Sequence, residues 1–156
     1  MQLADLTYFK PTDFQCPCCG DLRLDPKLGI YLDNLRLKYN HRIYISSGVR
    51  CVKHNKLVGG SPGSYHVAEE HGGLACAADI TVRDTDLMIL YEYVMRMSDL
   101  FGGIGIYPHK NIIHVDIRTV RISRWYGMGF NIGGRVYTRT YPFTRETFLK
   151  FGIAKV

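Results

Sequence analysis

Residues 112–118 read Ile-Ile-His-Val-Asp-Ile-Arg, and residues 76–82 read Cys-Ala-Ala-Asp-Ile-Thr-Val. Both segments alternate as strands do. In the first, the two-residue period puts His114 and Asp116 on one face, while Ile113, Val115 and Ile117 face a core. In the second, Ala77, Asp79 and Thr81 point one way and Ala78, Ile80 and Val82 the other. A hydrogen-bonded His/Asp pair at a sheet surface is a sufficient account of residues 114 and 116 taken alone. Asp79 changes the weighing, because a carboxylate in an apolar strand is costly unless it is paired or bound to a metal.

The flanking sequence supplies the other elements. Asp25-Pro26 has the form of an N-cap followed by a first-turn proline, and Leu28, Leu32, Leu35 and Tyr39 then recur at helical spacing. Arg42 to Ser46 alternates as a strand, Val52 to Leu57 is a short helix, and Gly-Gly-Ser-Pro-Gly-Ser at 59–64 is a loop. Asp84 or Thr85 caps a helix with apolar positions Leu87, Leu90, Val94 and Met97. Gly103 to Tyr107 and Ile112 to Arg118 form a hairpin joined by Pro-His-Lys-Asn. Helices and strands mixed without regular alternation predict an α+β fold, a small antiparallel sheet with flanking helices.

At 156 residues the chain accommodates one compact domain. Its 46% hydrophobic and 22% charged residues exclude a disordered tail or a disulfide-dense miniprotein. No apolar run is long enough to span a bilayer. The opening Met-Gln-Leu-Ala-Asp-Leu-Thr-Tyr-Phe-Lys lacks a basic region followed by an apolar stretch, so a product made in the cytoplasm without a signal peptide is expected.

The net charge of +6 is uneven. Up to Ile117 there are 12 Lys/Arg against 13 Asp/Glu, and from Arg118 onward 8 against 1. The same last quarter holds eight of the 19 aromatic residues, among them Trp125, Tyr126, Phe130 and Tyr137. Phe130 to Tyr141 reads as a hairpin turning at Gly133-Gly134, and Thr144 to Phe151 as a short helix. Residues 119–156 are therefore a basic aromatic extension, packed on the same domain as residues 1–118. It is either a closing subdomain or a surface that grips a polyanion.

Five cysteines sit at 16, 18, 19, 51 and 76. Cys16, Cys18, Cys19 and Cys51, with His54, make up a donor set for a structural zinc ion, although the spacing is not that of a standard finger. Buried or reactive thiols are the alternative. A second donor set comprises His66 and His71, on and beyond the glycine-rich loop, with Asp79 and His114 on the strands. Two imidazoles and a carboxylate, with water, suit a catalytic zinc site with an open position.

Five segments follow one another in order: Ser47-Gly48-Val49-Arg50-Cys51, His54-Asn55-Lys56, Val58-Gly59-Gly60 followed by Ser64-Tyr65-His66, Ala77-Ala78-Asp79-Ile80, and Ile113-His114-Val115-Asp116. Together they resemble the zinc D-alanyl-D-alanine carboxypeptidases and related peptidoglycan endopeptidases, including phage endolysins, which share a fold with the hedgehog signalling domain. The likeness runs from about Phe14 to Arg118, which makes residues 1–118 the expected zinc peptidase core. It implies Zn2+ as cofactor, with His66, Asp79 and His114 as ligands, and Arg50 as a contact to a substrate carbonyl or carboxylate.

There is one departure. The family's first histidine and aspartate lie seven residues apart, whereas His66 and Asp79 are thirteen apart, with residues 68–73 as an insertion. His71 is therefore a rival ligand to His66. Where many members carry a carboxylate three residues before the last zinc histidine, this chain has Asn111. Asp116 is then the candidate general base, or else it orients a ligand histidine. Glu69, Glu70 and His109 read as solvated loop residues.

The resemblance implies a monomeric zinc metallopeptidase acting on bacterial peptidoglycan stem or cross-link peptides. It would be an endolysin-type or D-Ala-D-Ala carboxypeptidase-like enzyme that reaches the cell wall after phage-mediated release. The alternative is a nucleic-acid- or wall-binding phage structural protein with a degenerate peptidase domain. Nucleic acid is not the expected partner, because that account leaves His66, Asp79 and His114 unexplained.

Overall fold

The computed structural model describes residues 3–144. The predicted helix over Phe148 lies outside the described residues. Helix α1 spans Pro26–Tyr39, and the Asp25 carboxylate caps it by accepting from the Lys27 N–H at 2.9 Å. Such a cap contributes about 1 kcal/mol. Leu28, Leu32, Leu35 and Tyr39 are all buried along one face. Helix α2 spans Val52–Leu57 and helix α3 Leu87–Arg96. The cap of α3 is Asp86, not Asp84 or Thr85: its carboxylate accepts from the Met88 N–H at 2.8 Å, while the Thr85 hydroxyl is engaged with the Tyr39 hydroxyl.

Six strands form one sheet: β1 Tyr44–Ser47, β2 Ala77–Thr81, β3 Gly103–Tyr107, β4 Ile112–Asp116, β5 Ser123–Ile132 and β6 Arg135–Pro142. Their order is β1-β2-β4-β3-β5-β6. All neighbours are antiparallel except β3 and β5, which run parallel. The fold is thus α+β as expected, with a mostly antiparallel sheet. β1 begins two residues later than its alternation suggests, and β4 ends at Asp116, two residues before the expected Arg118.

The core lies between α1 and α3 and one sheet face. Ala78, Ile80, Ile104, Ile106, Ile113 and Val115 on that face are buried against Leu28, Leu32, Leu90 and Val94. The opposite face carries the polar residues. Register aligns Ser47, Asp79, His114, Gly105 and Trp125 in one row across five strands. A bulge between Ile45 and Ser47 sets Ser47 opposite Asp79.

The C-terminal hairpin is longer than its pattern suggests, because β5 begins at Ser123 as a neighbour of β3. Its turn is at Gly133-Gly134 as expected, with φ of 59° and 80°. Arg124 anchors β5 by donating to the carbonyls of Gly102, Ser98, Phe101 and Ser123 at 2.8–3.0 Å. One arginine of the basic block is therefore a fastening between β5 and the turn that follows α3.

Candidate metal centre

The row across the sheet assembles the site. Asp79 on β2 and His114 on β4 are register partners, and His114 Nδ1 lies 3.0 Å from Asp79 Oδ1. His66 reaches them from the loop after the glycine-rich segment. Its Nε2 is 3.3 Å from both His114 Nδ1 and Asp79 Oδ1. In a tetrahedral site with bonds of about 2.0–2.1 Å, donor atoms stand about 3.3–3.4 Å apart. These three atoms match that spacing closely.

The donor chemistry fits a metal as well as the spacing does. His66 is 2% exposed, and its Nδ1 donates to the Gly48 carbonyl at 2.6 Å. A carbonyl only accepts, so the ring proton sits on Nδ1 and the Nε2 lone pair points at the other two donors. Burial holds the His66 pKa below its ordinary value, which keeps this imidazole neutral. Asp79 is held well below the usual carboxylate range: burial opposes this, and the hydrogen bond and charge of His114 beside it prevail.

His114 is held from two sides. Nδ1 faces Asp79, and Nε2 lies 3.0 Å from Asp116 Oδ2. Burial disfavours the imidazolium, yet the two carboxylates outweigh burial and push its pKa up to about 9. Without a cation, a proton on Nδ1 occupies the space among the three donors. His66, Asp79 and His114 are the residues that would hold a metal ion there, in the negative field of the two carboxylates.

Asp116 is fully buried and makes every bond its carboxylate can use. It accepts from His114 Nε2, from the Arg118 backbone N–H at 3.1 Å and from the Arg118 guanidinium. Its position is behind the His114 ring, away from Asp79 and His66. Arg50 lies on the other flank, where it pairs with Asp79 Oδ2 and donates from Nε to Ser47 Oγ at 2.8 Å.

Several contacts were not assigned from sequence. The Trp125 indole stands against His114, ring centroids 5.2 Å apart, and its N–H donates to the Tyr107 hydroxyl at 2.6 Å. Arg118 lies over the Tyr65 ring at 4.1 Å and reaches Trp125 at 5.6 Å. Burial raises the Tyr107 pKa, so its hydroxyl keeps its proton. Arg118 was legible, since the strand period that pairs His114 with Asp116 extends to it; Trp125 was not, because it arrives through the parallel β3–β5 pairing.

Glycine makes room for this layer. A Cβ at Gly105 would meet the Trp125 ring at 2.2 Å, and one at Gly103 would meet Asp116 Oδ2 at 2.1 Å. Both sit beside His114 and Asp116 on β4, so β3 presents a groove into which those side chains lie.

His71 stacks on Tyr65, centroids 4.1 Å apart, and its Nε2 lies 3.2 Å from the Gly63 carbonyl. It is not among the converging donors. Asn111, in the left-handed region at φ 54°, donates to the Val82 carbonyl at 2.8 Å and to Thr81 Oγ1, tying the β3–β4 turn to the end of β2. Glu69 is exposed and pairs with Arg23; Glu70 is exposed, and His109 lies 3.0 Å from Thr138 Oγ1.

The Peptidase M15 family model matches residues 8–116, which includes every residue of the cluster. The chain belongs to the M15 peptidase family. No curated protein and no solved structure matches it. Peptidases of this family are zinc-dependent, and His66, Asp79 and His114 form a candidate metal site in this member. Among the described residues no helix is long and apolar enough to cross a membrane.

Proposed function

We propose that this M15 peptidase hydrolyses stem or cross-link peptides of bacterial peptidoglycan, with zinc held by His66, Asp79 and His114. The observation that carries the proposal is the convergence of His66 Nε2, Asp79 Oδ1 and His114 Nδ1 within 3.0–3.3 Å of one another. The chemistry zinc supplies when bound is Lewis acidity toward a peptide carbonyl and acidification of water at an open position.

The chain's own residues set the conditions for that chemistry. Gly48 fixes the His66 tautomer, and Asp116 fixes His114 by accepting its Nε2 proton. Of the two roles open to Asp116, its burial and full set of bonds support the orienting one. Arg50, beside Asp79, is placed to turn its planar fork toward a substrate carbonyl or carboxylate. The Tyr107 hydroxyl, protonated and aligned by the Trp125 N–H, is a neutral donor on the same face, suited to a developing oxyanion or a departing amine.

A cleft of about 360 Å³ opens beside Tyr65, the chain neighbour of His66, and is lined also by Asp25, His71, Leu74, Cys76 and Arg118. Mass spectrometry of muropeptides from digested sacculi identifies the bond cut. Zinc binding without any new muropeptide would remove the enzyme reading.

The exposed hairpin favours a second reading. Phe130, Tyr137, Arg135 and Arg139 all face solvent on β5 and β6, an arrangement that also suits a single-stranded nucleic acid or an anionic wall polymer. Filter binding to single-stranded DNA beside binding to sacculi separates the two, and retention of DNA alone would support a binding protein with a degenerate peptidase domain.

A further inference from the structure

The N-terminal segment builds a second donor cluster that hydrolysis does not use. The Sγ atoms of Cys16, Cys19 and Cys51 lie within 4.8 Å of one another, and the Cys18 thiol contacts Cys51. The local chain is shaped around these sulfurs. Cys16-Pro17-Cys18-Cys19-Gly20 folds into a tight turn, with the Gly20 N–H donating to the Cys16 carbonyl at 2.9 Å and Gly20 at φ 77°. The backbone N–H groups of Cys18 and Cys19 are aimed at Cys16 Sγ, and that of Cys51 joins them at 3.4 Å. Cys51 Sγ in turn accepts from the His54 N–H at 3.3 Å.

Backbone donors on a sulfur are what a thiolate requires, and a soft divalent cation is what several converging thiolates require. A disulfide would join two of these sulfurs and leave the others pointing at it. In a tetrahedral zinc site with Zn–S of about 2.3 Å, sulfurs stand about 3.8 Å apart, below the 4.8 Å that bounds these three.

We propose that Cys16, Cys19 and Cys51 hold a structural zinc ion; Cys18, beside Cys51 but outside the three converging sulfurs, turns in to close the fourth position when the ion binds. The bound thiols release their protons to solvent. His54 contributes its backbone N–H to the Cys51 sulfur, and its imidazole is not among the converging donors. The ion clamps the 16–20 turn to Cys51. The same strap carries Arg50 and Gly48, and it is also held by the Val49 N–H donating to the Phe14 carbonyl at 2.8 Å. The clamp therefore stands directly behind the groups that orient His66 and flank Asp79.

Metal analysis and cobalt substitution of the reduced full-length chain test this independently of cleavage. The wild-type chain is expected to hold two zinc ions, and the His114→Ala chain one. Cobalt(II) loaded into the His114→Ala chain gives a sulfur-to-cobalt charge-transfer band with the intense visible bands of a tetrahedral thiolate site. Cys51→Ser abolishes that band. Cys18→Ser, at an exposed position, weakens metal retention about tenfold against a competing chelator. Should Cys51→Ser fail to fold, the spectrum of the His114→Ala chain decides. A His114→Ala chain without the charge-transfer band, or one whose intact mass under reducing-agent-free isolation shows these cysteines joined as disulfide, overturns the proposal. A band in a chain that cuts no peptide keeps this inference and removes only the hydrolase reading.

Discussion

His114 Nε2 lies 3.0 Å from Asp116 Oδ2, on the side of the ring turned away from Asp79 and His66. On the proposed reading, in which Asp116 positions His114, its loss is read first in metal affinity. Asp116→Asn is expected to weaken zinc binding about 10- to 100-fold, with activity restored by excess zinc. Zinc titration together with kcat at saturating metal checks it. Full zinc affinity with a collapsed kcat would instead make Asp116 the general base.

The ligand assignment predicts that His66→Ala loses zinc from the histidine site and His71→Ala retains it. His71 is committed to Tyr65 and the Gly63 carbonyl, eight residues before Asp79 and outside the cluster. Metal content of the two variants, measured beside Cys51→Ser to separate the two sites, checks the assignment. Zinc kept by His66→Ala and lost by His71→Ala would reverse it.

Gly105→Ala should disturb the site without touching a polar residue. The added methyl would meet the Trp125 ring at 2.2 Å, so the indole must leave its place against His114 and Tyr107. Overpacking of this kind costs about 1–3 kcal/mol. A lowered unfolding midpoint accompanied by a loss of activity larger than the population unfolded is the expected result, read by calorimetry and peptide release.

In chelator, stability should fall as pH rises. His114 has its pKa raised from 6.5 to about 9 in the folded chain, so the folded state holds a proton that the unfolded state gives up. Its contribution is complete below about pH 6.5, declines above that value and is gone above about pH 9. Asp79 and Asp116, both held below the ordinary carboxylate range, and His66, held below its ordinary value by burial, act in the opposite sense on the acid side of this window. Thermal midpoints across the window check it, and His114→Ala should flatten the profile.

Much of this site was legible because strand alternation is rigid. Asp79 and His114 fall on the polar faces of two apolar strands, so an antiparallel pairing in the observed register makes them direct partners. The helix spans were legible for a similar local reason, with Asp25 and Pro26 marking one start. What depended on non-local pairing was not legible. The β1 bulge that brings Ser47 opposite Asp79 and the parallel β5 that delivers Trp125 both join segments far apart in sequence, whereas the grouping of Cys16 and Cys19 with Cys51 was legible from donor type alone. The basic block also divides only in the fold. Arg118 is tied to Asp116 and Arg124 to four carbonyls, while Arg135 and Arg139 remain in solvent.

That division sharpens the electrostatic prediction. Binding to sacculi should weaken as salt is raised, because exposed charges are screened beyond about 8 Å at physiological ionic strength. Arg135→Glu with Arg139→Glu should weaken it further at low salt. Pull-down of protein with sacculi across a salt series measures both, and salt-independent binding would leave β6 a purely structural role.

The most direct measurement is release of amino groups from purified peptidoglycan by the wild-type chain, its chelated form, the zinc-reconstituted form and His114→Ala. The account predicts release by the wild-type and reconstituted proteins, and none by the chelated protein or the variant. Release that persists through chelation or in His114→Ala would contradict it.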